Sequence, residues 1–147
     1  MPMLRHALAI DAPAAPIWRV LADFAAYPEW NPFIRTIFGE LRQGARLTVR
    51  IAPPGAREIT FRPRVLEVDP PRTLRWLGHV LVPGLFDGEH RFRIEPLQGH
   101  CRFTQEEVFG GVVAPLLLPW LGAATERGFA AMNQALKARA EAAARST

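Results

Sequence analysis

The chain has 147 residues, of which 49% are hydrophobic and 22% charged, as is typical of one soluble globular domain. Its net charge of +4 comes almost wholly from arginines spread singly along the chain, a distribution that argues against a nucleic-acid-binding surface. The single cysteine, Cys101, excludes a disulfide framework and a cysteine-based metal cluster. The N-terminus lacks the apolar segment of a signal peptide. We therefore expect a cytoplasmic domain spanning residues 1–147, monomeric or homodimeric, with neither metal nor cofactor.

The first predicted elements are a strand and an amphipathic helix. Apolar residues alternate weakly from Leu4 to Ile10, as in a strand with one buried face. Apolar side chains then recur at spacings of three and four residues, which predicts a helix with one buried face: Ile17, Val20, Leu21 and Phe24. Asp11 precedes this helix and is its expected N-cap.

The next segment predicts a sharp corner. Pro28 and Pro32 each disfavour helical angles in the residue before them. The chain is therefore expected to turn and to form a short second helix. This corner presents the bulky rings of Trp30 and Phe33, which need a large apolar surface to lie against.

From residue 34 onward, a period of two predicts six further antiparallel strands, which gives about seven in total. Turn signals rich in proline and glycine separate them. The predicted segments are Ile34–Leu41, Arg46–Ile51, Glu58–Val68, Thr73–Val80, Phe86–Glu95 and Cys101–Phe109. Within the third segment the alternation changes phase, which predicts a β-bulge near residues 63–66.

The last two predicted strands place polar side chains on an otherwise apolar face. His90 shares its face with Phe92, and Gln105 and Glu107 share theirs with Phe103, whereas Glu106 is expected to face solvent. A hairpin loop at residues 96–99 predicts that His90 lies opposite Gln105 and diagonally across from Glu107.

A long helix is predicted from about Val112 to the C-terminus. Leu121, Thr125, Phe129, Met132 and Leu136 form a one-sided stripe, and the alanine-rich tail after residue 137 is expected to fray. The uncharged start of this helix, residues 112–124, is too short to span a bilayer. A sheet with one apolar face, covered by this helix, is an α+β arrangement.

Several segments of the chain resemble the SRPBCC superfamily, whose members include START-like, Bet v 1-like and polyketide cyclase/dehydrase-like domains. The matching residues are Ile17-Trp18, Leu21–Phe24, Tyr27–Phe33, Leu74–Trp76, Phe103-Thr104 and Phe109–Gly111. The resemblance implies a helix-grip fold, in which a curved antiparallel sheet wraps a long C-terminal helix around an apolar cavity. Members bind lipids, sterols, polyketides, hormones or quinones, and some catalyse cyclisation or dehydration. The superfamily has no universal catalytic motif, so the resemblance assigns no catalytic residue.

We expect the chain to bind a small hydrophobic molecule, such as a lipid, a polyketide or another ring compound, in this cavity. The candidate ligand-binding residues are Trp30, Phe33, Trp76, Phe86, His90, Phe92, Phe103, Gln105, Glu107, Phe129 and Met132. His90 and Glu107 are the candidate catalytic residues, because a histidine beside a carboxylate can act as a general base. Structural or ligand-orienting roles are favoured for both, including a bond from Glu107 to the corner at Asn31 or Trp30.

Two alternative functions remain. A cyclase or dehydratase would use His90 as a base, so that His90→Ala would retain binding and abolish turnover, whereas an orienting His90 would show weakened binding. A lipid or quinone chaperone would contact membranes through Val112–Leu121 and surface arginines. Burial of this segment under the Trp30 corner is the favoured interpretation.

Overall fold

The structure is a computed structural model that describes residues 2–80 and 82–146, apart from the side chain of Trp120. Its strands are β1 (Met3–Ile10), β2 (Ile34–Phe38), β3 (Thr48–Ile51), β4 (Ile59–Phe61), β5 (Arg64–Asp69), β6 (Thr73–His79), β7 (Asp87–Pro96) and β8 (Cys101–Gly110). The helices are α1 (Ala14–Ala22), α2 (Tyr27–Trp30) and α3 (Ala114–Arg145), with a 3₁₀ turn at Phe24–Ala26. The predicted α+β helix-grip arrangement, with short helices between the first two strands, is confirmed.

The strands form two antiparallel sheets, one of five strands in the order β1-β8-β7-β6-β5 and one of three in the order β2-β3-β4. The predicted third strand segment is divided in two at Arg62-Pro63, which raises the count from about seven to eight in the described residues. Proline has no N–H for a strand ladder, and the Pro63 carbonyl instead accepts a bond of 2.9 Å from the Leu47 N–H. The register shifts between Val65 and Glu67, as the predicted bulge requires.

The corner after α1 is held by buried polar contacts. The Asn31 side-chain oxygen accepts the N–H groups of Phe33 and Ile34 at 2.9 and 2.8 Å. The buried Tyr27 hydroxyl donates to the Leu21 carbonyl at 2.6 Å, and burial raises the Tyr27 pKa well above its usual range. Asp11, the expected cap, does not cap α1, because the N-cap position is Pro13 and no side chain bonds there.

Helix α3 packs closely against the corner and extends further than expected. A Cβ atom at Gly128 would overlap the Phe33 ring, so glycine permits this approach. The tail expected to fray is helical to Arg145, with Ala140 fully buried. Glu141 accepts the Asp11 main-chain N–H at 2.8 Å, which anchors the tail beside the end of β1.

The start of α3 lies elsewhere than the sequence suggested. Instead of being buried under the Trp30 corner, Val112 and Leu116 are 78% and 79% exposed. The segment meets the loop before β7, where the Val112 N–H donates to the Gly84 carbonyl at 3.0 Å. In the described part of the chain, no helix is both long and apolar enough to cross a membrane.

Candidate ligand-binding cavity

A cavity of about 70 Å³ lies between the first half of α3 and the inner faces of both sheets. Its wall is mostly apolar and includes five of the residues predicted to bind a ligand: Phe33, Trp76, Phe86, His90 and Glu107. The structure therefore brings the two candidate catalytic residues together at one apolar cavity.

The other predicted ligand-binding residues lie outside the cavity wall. Four of them are fully buried in the packed core between the sheet and α3: Phe92, Phe103, Phe129 and Met132. Gln105 is also fully buried, behind His90. Trp30 lines a separate groove between α1 and the end of α3. Aromatic side chains fill more of the interior than the sequence suggested, so the cavity is confined to one end of it.

The small sheet contributes walls that the sequence analysis did not assign to the site. Ile51, Ile59 and Phe61 line the cavity from β3 and β4, and Leu121 and Thr125 line it from α3. Leu121 and Thr125 belong to the one-sided stripe predicted for the last helix, and the other three lie in the alternating segments Arg46–Ile51 and Glu58–Val68. That signal marks the buried face, but it does not show which buried positions border empty space.

Two glycines shape the sheet side of the cavity. Gly78 of β6 and Gly88 of β7 are directly paired and share the inner face. A Cβ atom at Gly78 would lie 2.9 Å from the Phe61 ring. At Gly88 it would overlap the Glu107 carboxylate oxygen Oε2. The absence of side chains at this pair leaves room for Phe61 and Glu107.

The predicted hairpin register is wrong by two residues. The ladder extends to Pro96 opposite Cys101, and the Leu97 N–H donates to the His100 carbonyl at 2.8 Å across a shorter loop. His90 therefore lies directly opposite Glu107, not opposite Gln105. A shift of two residues preserves the face to which each side chain points, so His90 and Glu107 still face inward.

The His90 ring has a polar partner at each nitrogen. Nδ1 lies 2.9 Å from Oε1 of Glu107, which forms an ion-pair contact when the ring is protonated. Nε2 lies 2.8 Å from Oε1 of Gln105. The ring itself is 3% exposed and stacks on Phe92 with ring centroids 4.4 Å apart. Packing and polar contacts together fix the orientation of His90 at the cavity wall.

A buried hydrogen-bond chain continues from His90 to the first strand. The Gln105 amide N–H donates to Oδ1 of Asn133 at 2.8 Å, and the Asn133 amide N–H lies 3.0 Å from both Nδ1 and the main-chain carbonyl of His6. A carbonyl can only accept, so it requires the NH₂ group of Asn133 on its side. The orientation of Asn133 fixes that of Gln105, whose oxygen then faces His90. His90 must therefore carry a proton on Nε2.

The position of Glu107 corrects the structural role favoured for it. Glu107 contacts His90 and lines the cavity, and it makes no hydrogen bond to the corner. Within the described residues, the corner atoms Trp30 Nε1 and Asn31 Nδ2 are buried without a hydrogen-bond partner. The carboxylate is therefore available to a ligand instead of tying the sheet to α2.

The outer face of the large sheet carries a separate network of charges. Glu106, expected to face solvent, lies on this face but is 4% exposed, because it pairs with Arg93. Near the cavity rim, Nδ1 of His79 lies 2.7 Å from Oδ1 of Asp87, and this hydrogen bond holds the pKa of Asp87 below its usual value. Arg93 and Glu106 pair on the outer face, whereas His79 and Asp87 also border the cavity.

Neither a metal nor a thiol nucleophile is indicated at the cavity. Among residues 2–80 and 82–146, no three histidine, cysteine or acidic side chains cluster as metal ligands would. Burial raises the pKa of the Cys101 thiol, which disfavours the reactive thiolate.

We predict that Gln105→Leu lowers the free energy of unfolding by about 3 kcal/mol, because each buried polar group left without a partner costs roughly 1–3 kcal/mol. The groups affected are Nε2–H of His90 and Oδ1 of Asn133. Urea denaturation measures the change. Thr104→Val is the matched control, since the buried Thr104 hydroxyl makes no hydrogen bond in the described structure. Equal effects of the two substitutions would contradict the proposed network.

Comparisons with known proteins were made for the whole sequence and for its fold. No curated protein matches the sequence. The fold is similar to TTHA0849 from Thermus thermophilus, with a TM-score of 0.76 and 17% identity over 97% of this chain and 99% of that chain. It is also similar to the ZhuI aromatase/cyclase from Streptomyces sp. R1128, with a TM-score of 0.74 and 21% identity over 95% of this chain and 93% of that chain.

A third similar structure is norcoclaurine synthase from Thalictrum flavum, a point mutant in complex with a transition-state analogue. Its TM-score is 0.70, with 15% identity over 95% of this chain and 93% of that chain. The profile of one family, described as polyketide cyclase / dehydrase and lipid transport, matches residues 1–141. The resemblance to the SRPBCC superfamily is thereby confirmed, and the chain belongs to the polyketide cyclase / dehydrase and lipid transport family.

Proposed function

We propose that this protein binds a small hydrophobic molecule in the cavity beside α3, with the ligand's polar end at the His90–Glu107 pair. The observation that supports this most directly is a mostly apolar cavity whose wall carries the His90–Glu107 pair. Apolar walls with a few convergent polar groups are the usual composition of small-molecule sites. Apolar contact supplies most of the affinity, and the pair fixes the ligand's orientation.

The size of the cavity limits the part of a ligand that it encloses. Its volume of about 70 Å³ is roughly half that of a cavity that encloses benzene in another protein, which is about 150 Å³. Typical pockets for drug-sized ligands are larger, at about 300–1,000 Å³. The cavity therefore encloses part of a ring or a short acyl segment, and the rest of the ligand extends out through the mouth.

Leu121→Trp tests the cavity as the binding site. The larger side chain projects into the space that Leu121 now borders, so we predict at least a tenfold loss of toluene affinity. Toluene binding is measured by titration in ¹H–¹⁵N NMR spectra. Leu116→Trp is the matched control on the same helix, because Leu116 is exposed and outside the cavity. Absence of toluene binding to the unmodified protein, or equal affinity in both variants, would overturn the proposed function.

Catalysis in the same cavity is the second candidate function. The observation that favours it is the His90–Glu107 contact of 2.9 Å at an apolar wall, where an acid–base pair can exchange a proton with a bound ligand.

Exposed Val112 and Leu116 favour a further alternative, in which a lipid chaperone contacts a membrane through the start of α3.

His90→Ala separates catalysis from binding. The probe is 4-hydroxycyclohex-2-enone, a single-ring compound that loses one water molecule to give phenol. An enzyme would accelerate this dehydration, and His90→Ala would abolish turnover while the variant still binds the probe. A binder in which His90 orients the ligand would show weakened binding and no acceleration in either form. Ultraviolet absorbance follows phenol formation, and NMR titration follows binding.

A further inference from the structure

We propose that the part of the cavity wall formed by the His90–Glu107 pair accepts hydrogen bonds without donating them, so that the ligand's polar end there is a donor: a phenol, another hydroxyl or an N–H group. This inference rests on the proposed function and names the class of ligand that the cavity selects. It follows from the positions of the protons on His90, Glu107 and Thr125.

His90 has no free donor for a ligand. Its Nε2–H is directed to the Gln105 oxygen at 2.8 Å, in an orientation set by Asn133 and the main-chain carbonyl of His6. Its Nδ1 faces Oε1 of Glu107 at 2.9 Å. Both ring nitrogens are therefore engaged by protein atoms, and Asn133 is a positioning residue that acts on His90 through Gln105.

Glu107 presents an acceptor to the cavity. Because Nε2 already carries a proton, the lone pairs of Nδ1 and Oε1 would repel at 2.9 Å unless one of these atoms also carries one. If His90 and Glu107 form a charged pair, the shared proton is on Nδ1 of His90. If both side chains are neutral, it is on Oε1 of Glu107. In both forms the second carboxyl oxygen, Oε2, has only lone pairs to offer. This oxygen lies over Gly88, which has no side chain of its own, and both residues line the cavity.

Thr125, on the helix side of the cavity, also offers only a hydrogen-bond acceptor. Its hydroxyl donates to the Leu121 carbonyl at 3.0 Å, so its remaining lone pairs can only accept. His79 and Asp87 also border the cavity, at a directly paired position of β6 and β7, where Nδ1 of His79 and Oδ1 of Asp87 lie 2.7 Å apart. Acceptors on both inner walls therefore favour a ligand that donates.

Three single-ring probes of similar size distinguish these chemical classes. Phenol donates a hydrogen bond, anisole can only accept one, and toluene does neither. A hydrogen bond to a charged group is among the stronger ones in proteins, so we expect phenol to bind about tenfold more tightly than toluene. Anisole is expected to bind no more tightly than toluene. Affinities come from NMR titrations of the intact protein.

A pair of alanine substitutions tests whether Glu107 causes the preference. Gly88→Ala places a methyl group against Oε2, so the ratio of phenol to toluene affinity is expected to fall towards one. Gly78→Ala, on the paired position of β6, meets the Phe61 ring instead. It is expected to weaken both probes while preserving their ratio.

The outcomes separate this inference from the proposed function. Tighter binding of phenol, lost in Gly88→Ala and retained in Gly78→Ala, supports both. Equal binding of all three probes, or tighter binding of anisole than of phenol, overturns the donor preference and leaves hydrophobic binding intact. A phenol preference that survives Gly88→Ala overturns the role of Oε2. Failure of every probe to bind overturns the proposed function and this inference with it.

Discussion

The hydrogen bond from Asn133 to the main-chain carbonyl of His6 is the constraint on which the site depends. A main-chain carbonyl cannot exchange acceptor for donor, so this bond of 3.0 Å orients the amide of Asn133. Through Gln105 it determines the proton position on His90, and it also ties α3 to β1 across the interior. Each side chain of this hydrogen-bonded network has a partner, because an unpaired polar group in a buried network would destabilise the fold. The stability of the fold and the proposed ligand preference therefore depend on the same four side chains: Asn133, Gln105, His90 and Glu107.

The apolar part of the site depends on where the interior is left unfilled. Aromatic rings close the space beside the middle of α3, for example where Phe129 meets Phe33 with ring centroids 5.7 Å apart. Beside the first half of α3, the paired glycines of β6 and β7 leave the sheet without side chains at that point. The cavity lies where glycines replace bulky residues, and Glu107 reaches it over Gly88.

Much of this arrangement follows from the sequence, because alternation specifies which face of a strand is buried. That rule places His90, Gln105 and Glu107 inward, whatever the register. Alternation does not determine the length of the hairpin loop. The strand register predicted from the sequence is therefore displaced by two residues, and His90 lies opposite Glu107 instead of Gln105. The sequence analysis does not assign Asn133 to the site, because its full burial beside Met132 is visible only in the structure. Its role depends on its distance from β1, which only the folded chain defines.

The proton position on His90 is the most direct test of this account. Long-range ¹H–¹⁵N correlation spectra of the histidine side chains measure it, with His90 assigned from the signals lost in His90→Ala. We predict that Nε2 of His90 carries a proton at neutral pH, and that Asn133→Leu weakens this preference because Gln105 is then free to turn over. An unprotonated Nε2, with the proton only on Nδ1, would mean that the hydrogen bonds of this network run in the opposite direction. That result would contradict the account.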